Sequence, residues 1–110
     1  MSKNLERGLK LTEVLKKYHP DFPPNALAIM SYIGSNRNRS IAAGELSEKL
    51  DIPKATVSRN LRMLGKKATP TKDGIHLLDM EHTKEDYRVR VAVLTEKGEE
   101  FLAELGDALS

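Results

Sequence analysis

The most constraining feature of this sequence is a pair of short helical patterns separated by a very short turn. The first covers residues 43–50, where two leucines lie four residues apart, and the second covers about residues 54–67. The turn ends in Pro53, which suits the first turn of a helix because the missing N–H needs no partner there. The apolar residues of the second pattern share one face: Val57, Leu61 and Leu64. The opposite face is polar and basic, so the pair is predicted to be a helix-turn-helix.

Two further helical patterns precede this pair. Apolar residues at helical spacing between Asn4 and Tyr18 predict an N-terminal helix within segment 1–19. Prolines in residues 20–24 end it, because proline cannot continue a helix and disfavours helical geometry in the residue before it. The next segment is apolar nearly all round, as in a helix buried in the middle of a small domain. We therefore expect a helical core over residues 25–67, with the helix-turn-helix at 43–67.

After residue 71 the pattern changes from helical to extended. Residues 75–80 and 88–94 predict two antiparallel strands joined by a polar turn at 81–86, so that residues 74–94 form a β-hairpin. Thr95 is a good N-cap for a last helix over residues 95–110, which has acidic residues in its first turns. We therefore expect one domain over residues 1–110, mainly α with a small β-hairpin wing, which is a winged helix-turn-helix.

The charged residues are distributed unevenly along the chain. The net charge is only +2, but residues 1–72 hold 14 Lys and Arg against 6 Asp and Glu, and residues 73–110 hold 4 against 10. Residues 54–72 contain six basic side chains and no acidic one. Such a segment is typical of a surface that binds a polyanion. The alternative is a solvated helix face with no partner.

Composition excludes several classes of protein. The chain has no cysteine, so it has neither disulfides nor thiolate metal ligands, and it has no apolar run long enough to cross a membrane. The N-terminus lacks the pattern of a signal peptide, so we expect a cytoplasmic protein. His19, His76 and His82 do not have the spacing of a zinc site, and no phosphate loop or catalytic triad is visible. We therefore expect no metal, no cofactor and no enzymatic activity.

Three segments resemble known bacterial regulators. Residues 46–59 resemble the helix-turn-helix of many of them, and residues 23–30 are similar to the second helix of the MarR family. Residues 86–98 resemble the wing of that family, with Asp-x-Arg, an apolar strand and then Leu-Thr-x-x-Gly, all without a gap. The resemblance covers roughly residues 22–105. It implies a MarR-like DNA-binding protein, and the connection at residues 65–74 is longer than the family's usual one.

The candidate DNA contacts follow from the helix and from the resemblance. A recognition helix needs small or hydrogen-bonding side chains that can approach the major groove, with basic ones for phosphates or guanine. These candidates are Lys54, Ala55, Thr56, Ser58, Arg59, Arg62 and the following Lys66. In the wing, the resemblance implies that Arg88 enters the minor groove and that Asp86 orients it, and Lys84 is a phosphate candidate. The role of Arg90 stays open, and Arg37 and Arg39 are weaker phosphate candidates.

The resemblance also implies a homodimer. The family's long C-terminal helices have no counterpart in the chain given, so we expect a short member that dimerises through its first and last helices. The candidate contacts are Leu5, Leu11, Leu15, Phe101, Leu105 and Leu109. The same side chains could equally pack against each other within one subunit. A small-molecule effector is not evident.

The leading hypothesis is a transcriptional regulator that binds duplex DNA sequence-specifically, as a homodimeric repressor on a pseudo-palindromic operator. One alternative is an accessory protein of replication or partition, which needs the same DNA contacts. The other is a winged-helix module that binds another protein and has no salt-dependent affinity for DNA.

Overall fold

A computed structural model describes residues 2–110, so Met1, with which the expected domain 1–110 and segment 1–19 begin, lies outside the described residues. Within them, the chain forms five helices and five short strands. The helices are α1 (Lys3–Tyr18), α2 (Pro24–Ser35), α3 (Ala43–Leu50), α4 (Lys54–Leu64) and α5 (Glu96–Leu109). The strands are β1 (Ile41–Ala42), β2 (Lys67–Thr69), β3 (Lys72–Asp73), β4 (Leu78–His82) and β5 (Arg90–Leu94). The expected winged helix-turn-helix, mainly α with a small sheet, is confirmed.

The turn between α3 and α4 depends on one residue in an unusual conformation. Asp51 has φ 53° and ψ 49°, the left-handed region that ends many helices and that aspartate tolerates better than most residues. The Ser47 hydroxyl donates a hydrogen bond of 2.6 Å to the carbonyl of Ile52, and the Ile52 N–H donates one of 3.1 Å to the carbonyl of Ser47. These bonds fix the angle at which α4 leaves α3.

The expected end of α4 at residue 67 is wrong, because the helix ends at Leu64. The segment after the small β2–β3 hairpin runs back along this end, and its N–H groups pair with the last carbonyls of the helix. Ile75, His76 and Leu77 donate to Met63, Gly65 and Leu64 at 2.9, 3.0 and 2.7 Å respectively. The approach is so close that a Cβ at Gly74 would lie 2.1 Å from the Gly65 carbonyl oxygen. Residues 65–74 therefore contain a second hairpin, where the sequence indicated only a long loop.

The wing is a three-stranded sheet in the order β1-β5-β4, and both of its pairs are antiparallel. β1 was not expected, since two residues are too few to give a sequence pattern. The expected strands at 75–80 and 88–94 are shifted, because residues 75–77 cap α4 and the chain reaches the sheet only at Leu78. The tip is accordingly residues 83–89 rather than 81–86.

The Leu-Thr-x-x-Gly segment joins the wing to α5. The Thr95 hydroxyl donates to the carbonyl of His76 at 2.7 Å and accepts from the N–H of Gly98 at 3.0 Å, which makes it the N-cap of the helix. A Cβ on Gly98 would lie 1.9 Å from the carbonyl oxygen of Leu77. Glycine at this position therefore lets the first turn of α5 rest directly on the backbone that leads into β4.

The core lies between α2, α3, α4, the sheet and α5, and Phe101 at its centre is fully buried. Tyr18 packs edge-on against the Phe101 ring at 5.1 Å between centroids, and Phe22 stacks on that ring at 5.3 Å. These contacts attach the C-terminal end of α1 to α5. No residue of α1 is buried, and Leu5 and Leu9 near its start are 65% and 55% exposed.

Candidate nucleic-acid interface

The outer face of α4 is exposed, small and basic. Its inner face is buried through Val57, Leu61 and Leu64. Five of the expected contact residues are exposed and Thr56 is half-buried; the exposed ones are Lys54, Ala55, Ser58, Arg59 and Arg62. The N-cap Pro53 has no side-chain bond to the first-turn N–H groups, and no acidic residue lies there. The helix therefore presents the positive end of its dipole next to a cationic surface.

The tip of the wing holds Arg88 in a fixed frame. The Asp86 carboxylate accepts bonds from the Arg88 backbone N–H at 3.0 Å, from its Nε at 3.1 Å and from its Nη2 at 3.2 Å. These bonds lower the pKa of Asp86, the guanidinium contributing more than the backbone. Thr83 in turn bonds to both the N–H and the carbonyl of Asp86. The structure thus contains the Asp86–Arg88 pair that the resemblance implies, with the arginine 77% exposed.

Arg37 and Arg39, the weaker phosphate candidates, both form ion pairs within the protein. Arg37 forms an ion pair with Glu99 of α5. Arg39 donates two hydrogen bonds to the Glu45 carboxylate and one, of 3.1 Å, to the Tyr32 hydroxyl. The Arg39 guanidinium, together with the Tyr32 hydroxyl, lowers the pKa of Glu45 to about 2. Both arginines therefore tie the α2–β1 connection to neighbouring helices.

A cleft lies between the outer face of α4 and the base of the wing. It has a volume of about 420 Å³ and is lined by Arg62 and Ser58 of α4, by Lys66, and by Arg90 of β5. Arg90 has no role that its sequence position alone indicates. Its alternation with Ala92 and Leu94 is visible in the sequence, but only the shared lining of this cleft shows that Arg90 lies near α4. Lys84 lies exposed at the tip.

The expected dimer contacts fall into three groups. Phe101 and Leu105 are 0% and 5% exposed, so they belong to the core of the single chain and are not placed to touch a second copy. Leu11 and Leu15 are half-buried against the core. Leu5 and Leu109 remain exposed, and Leu9, which lies one turn after Leu5, is an exposed residue that the sequence analysis did not single out.

The histidines and acidic residues form no cluster that could hold a metal ion anywhere in residues 2–110. His76 lies 2.8 Å from the Asp79 carboxylate, at the segment that caps α4. None of the helices in the same residues has both the length and the apolarity that a membrane crossing needs.

Comparison with known proteins points to the same architecture. A family model described as a helix-turn-helix domain matches residues 24–66, which comprise α2, α3 and α4. No curated protein sequence matches the chain significantly.

Solved structures similar to this chain include several regulators. YusO from Bacillus subtilis superposes with a TM-score of 0.69 at 18% identity, over 94% of this chain and 65% of its own. The transcriptional regulator Tm0710 from Thermotoga maritima superposes with a TM-score of 0.67 at 24% identity, over 97% of this chain and 73% of its own. The transcription regulator MarR from Oenococcus oeni PSU-1 superposes with a TM-score of 0.65 at 20% identity, over 90% of this chain and 67% of its own. This chain thus spans slightly under two thirds of YusO, and at these identities the likeness is one of fold.

Proposed function

From the MarR-like winged helix-turn-helix fold, we propose that this protein is a transcriptional regulator that binds duplex DNA sequence-specifically. The observation that carries the proposal is the cleft that Arg62 of α4 and Arg90 of the wing line together. It lies between the exposed basic face of α4 and the wing whose tip carries Arg88. The chain has six basic residues and no acidic one from Lys54 to Lys72. A surface of this kind matches a polyanion.

The shape of α4 suits the major groove. It has 11 residues and is therefore about 16 Å long, and the small Ala55 and Ser58 lie near the start of its exposed face. Small side chains let the helix backbone approach the base edges. Arg59 lies on the same face, long enough to reach guanine or a phosphate. We assign base reading to α4 on this ground.

The wing suits the adjacent minor groove. Arg88 stands at the tip of a narrow hairpin, and Asp86 restrains its guanidinium, so little conformational freedom is lost on binding. Arginine in a narrow minor groove is favoured by the negative potential of A·T-rich tracts. Lys84, also at the tip, adds a phosphate contact on this account.

We further propose that the protein acts as a homodimeric repressor on a pseudo-palindromic operator in the cytoplasm. The exposed Leu5, Leu9 and Leu109 supply the apolar contact area on the first and last helices. Two recognition helices related by a two-fold axis would meet half-sites about 34–36 Å apart. Repression then follows from occupation of the promoter by the bound dimer.

Selection of bound duplexes from a random pool tests this proposal. The expected product is a symmetric motif with two half-sites about one helical turn apart. Mapping of the bound sites on genomic DNA should then place them in promoters, whereas clustering at an origin would assign the protein to replication or partition. Failure to enrich any sequence, together with no salt-dependent affinity for duplex DNA, would leave a protein-interaction module and overturn the proposal.

A further inference from the structure

The cleft between α4 and the wing, which we call the α4–wing cleft, draws cations from separate parts of the fold. Arg62 comes from α4, Lys66 from the residues just after it, and Arg90 from β5. The remaining lining is largely apolar and includes Leu61, Leu78 and Met80. A volume of about 420 Å³ accommodates a phosphate group with several waters, since a water molecule occupies about 30 Å³.

The register of the wing places Arg90 on the face of the sheet that is turned towards α4. In the β4–β5 pair, Leu78 lies opposite Leu94, Met80 opposite Ala92 and His82 opposite Arg90, so these residues share one face. Leu78 is buried in the core, which shows that this face is the inner one. Glu81 pairs with Val91 and is on the other face. Arg90 is thus a cation at the outer end of this face, opposite His82 and beyond the apolar residues of the row.

The charges of the cleft are not balanced within the protein. Among the salt bridges of residues 2–110, none involves Arg62, Lys66 or Arg90. Lys67 also lines the cleft but is paired with Asp73, and the one acidic lining residue, Asp79, bonds to His76. Asp79 offsets only part of the charge of Arg62, Lys66 and Arg90, so the cleft holds net positive charge, which an anion from outside would neutralise.

We propose that the α4–wing cleft binds one backbone phosphate of the DNA, with Arg90 as its principal ligand beside Arg62 and Lys66. The inference rests on the proposed function, in which α4 occupies a major groove and the wing an adjacent minor groove. A sugar–phosphate backbone separates any two adjacent grooves, so a protein that occupies both straddles that backbone. The α4–wing cleft is the space between the two elements. A guanidinium suits this position because its planar donors can pair with two phosphate oxygens at once.

The test compares Arg90→Gln with Lys97→Gln, which removes the same charge from an exposed site on α5. Affinity for the selected duplex is measured from 50 to about 200 mM salt. Each phosphate contact contributes about 0.9 to the slope of log affinity against log salt concentration. Arg90→Gln removes this contact from each subunit, so it should make the slope shallower by about 0.9 for each subunit bound and weaken specific and random duplexes equally. Lys97→Gln should leave the slope unchanged. Arg90→Lys should have a slope close to that of the unmodified protein, because the lysine keeps the positive charge.

A second measurement locates the phosphate. Each phosphate of the selected duplex is replaced in turn by a neutral methylphosphonate. One position in each half-site lies between the bases read by α4 and the minor groove of the wing. Replacement there should weaken DNA binding by the unmodified protein but not by Arg90→Gln, because the two changes remove the same contact.

The results distinguish failure of the phosphate site from failure of the proposed function. An unchanged slope for Arg90→Gln, with no non-additive phosphate, overturns the phosphate site while the proposed function stands. Absence of salt-dependent binding by the unmodified protein overturns the proposed function itself. Thermal unfolding of each variant shows that it is folded, as expected for a residue with an exposed side chain.

Discussion

At the scale of single residues, Arg59 and Arg88 are both exposed arginines in different settings. Arg59 lies on the outer face of α4 with no salt bridge among residues 2–110, whereas Arg88 is held by Asp86 at the tip of the wing. Removal of a side chain that reads bases and removal of one that lies in the minor groove should change DNA binding in different ways. The two therefore offer a matched pair of variants.

We expect Arg59→Ala to lower specific affinity by about 1–3 kcal/mol and to relax base preference at one position of each half-site. Arg88→Ala should instead weaken binding most where the flanks are A·T-rich. Titration of both variants against the selected duplex and against versions with altered half-sites or flanks measures this. Equal losses on every duplex from both variants would contradict the division of roles.

Glu45 gives the fold a specific sensitivity to acid. Its folded pKa is about 2 against an ordinary 4.5, because the Arg39 guanidinium and the Tyr32 hydroxyl bond to the carboxylate. A group whose pKa falls on folding stabilises the protein fully above its unfolded pKa, and this contribution is lost as the pH drops through the folded one. The window for this loss is therefore about pH 4.5 down to about 2.

Glu45→Gln should make the decline of the unfolding midpoint across that window less steep, since the amide does not titrate and only the other carboxyl groups with lowered pKa values still contribute. Tyr32→Phe removes one of the two partners and should give an intermediate slope. Thermal unfolding at several pH values measures both variants. A midpoint that declines as steeply in Glu45→Gln as in the unmodified protein would show that another group controls the acid response.

Side-chain contacts between residues that are distant in the sequence could not be predicted from the sequence. The sequence indicates that residues 54–62 expose a basic face, because helical periodicity is local information. The pairing of Arg37 with Glu99 joins residues 62 positions apart, and no local pattern carries it. Asp86 and Arg88 were found because they lie two positions apart within a motif.

At the scale of elements, α5 is positioned by its first turn on the backbone before β4. Gly98 and Gly106 both lie in this helix, but a Cβ would lie 1.9 Å from the Leu77 carbonyl oxygen at the former and have nothing within 4 Å at the latter. Gly98→Ala should cost about 1–3 kcal/mol of unfolding free energy because the backbones must separate. Gly106→Ala should stabilise by up to about 1 kcal/mol through helix propensity.

Urea unfolding of these two variants tests the junction with identical chemistry at both sites. The free energy of unfolding should fall in Gly98→Ala and rise in Gly106→Ala. A Gly98→Ala variant as stable as Gly106→Ala would mean that α5 does not rest on this backbone.

The helices were predicted more accurately than the strands. Each of the five helices has its own apolar periodicity or cap, and only the end of α4 was misplaced. That end depends on N–H groups of residues 75–77, which reach it only after the β2–β3 hairpin has reversed the chain. β1 and the β2–β3 hairpin contain two or three residues per strand, too few for any alternation to show.

At the scale of the whole molecule, the chain is elongated, with extents of 50, 32 and 27 Å. No residue of α1 is buried, and two leucines near its start are exposed to solvent. Exposed leucines one helical turn apart are costly to leave in water. On the proposed account, a second copy covers them.

Replacing Leu5 and Leu9 together by serine should therefore convert a dimer into a monomer and weaken binding to the two-half-site duplex much more than to a single half-site. Sedimentation at several concentrations and DNA titration measure these effects. The thermal midpoint of the dilute monomer should hardly change, because both side chains are exposed in the single chain. A variant that still sediments as a dimer would place the interface elsewhere.

The central claim is that DNA lies against α4, the α4–wing cleft and the tip of the wing. Its most direct test is the change in backbone amide NMR shifts when the isotope-labelled protein is titrated with the selected duplex. The account predicts that the largest changes fall in residues 54–66 and 83–90, with few in the middle of α2. Changes confined to α1 and α5, or none at all, would contradict it.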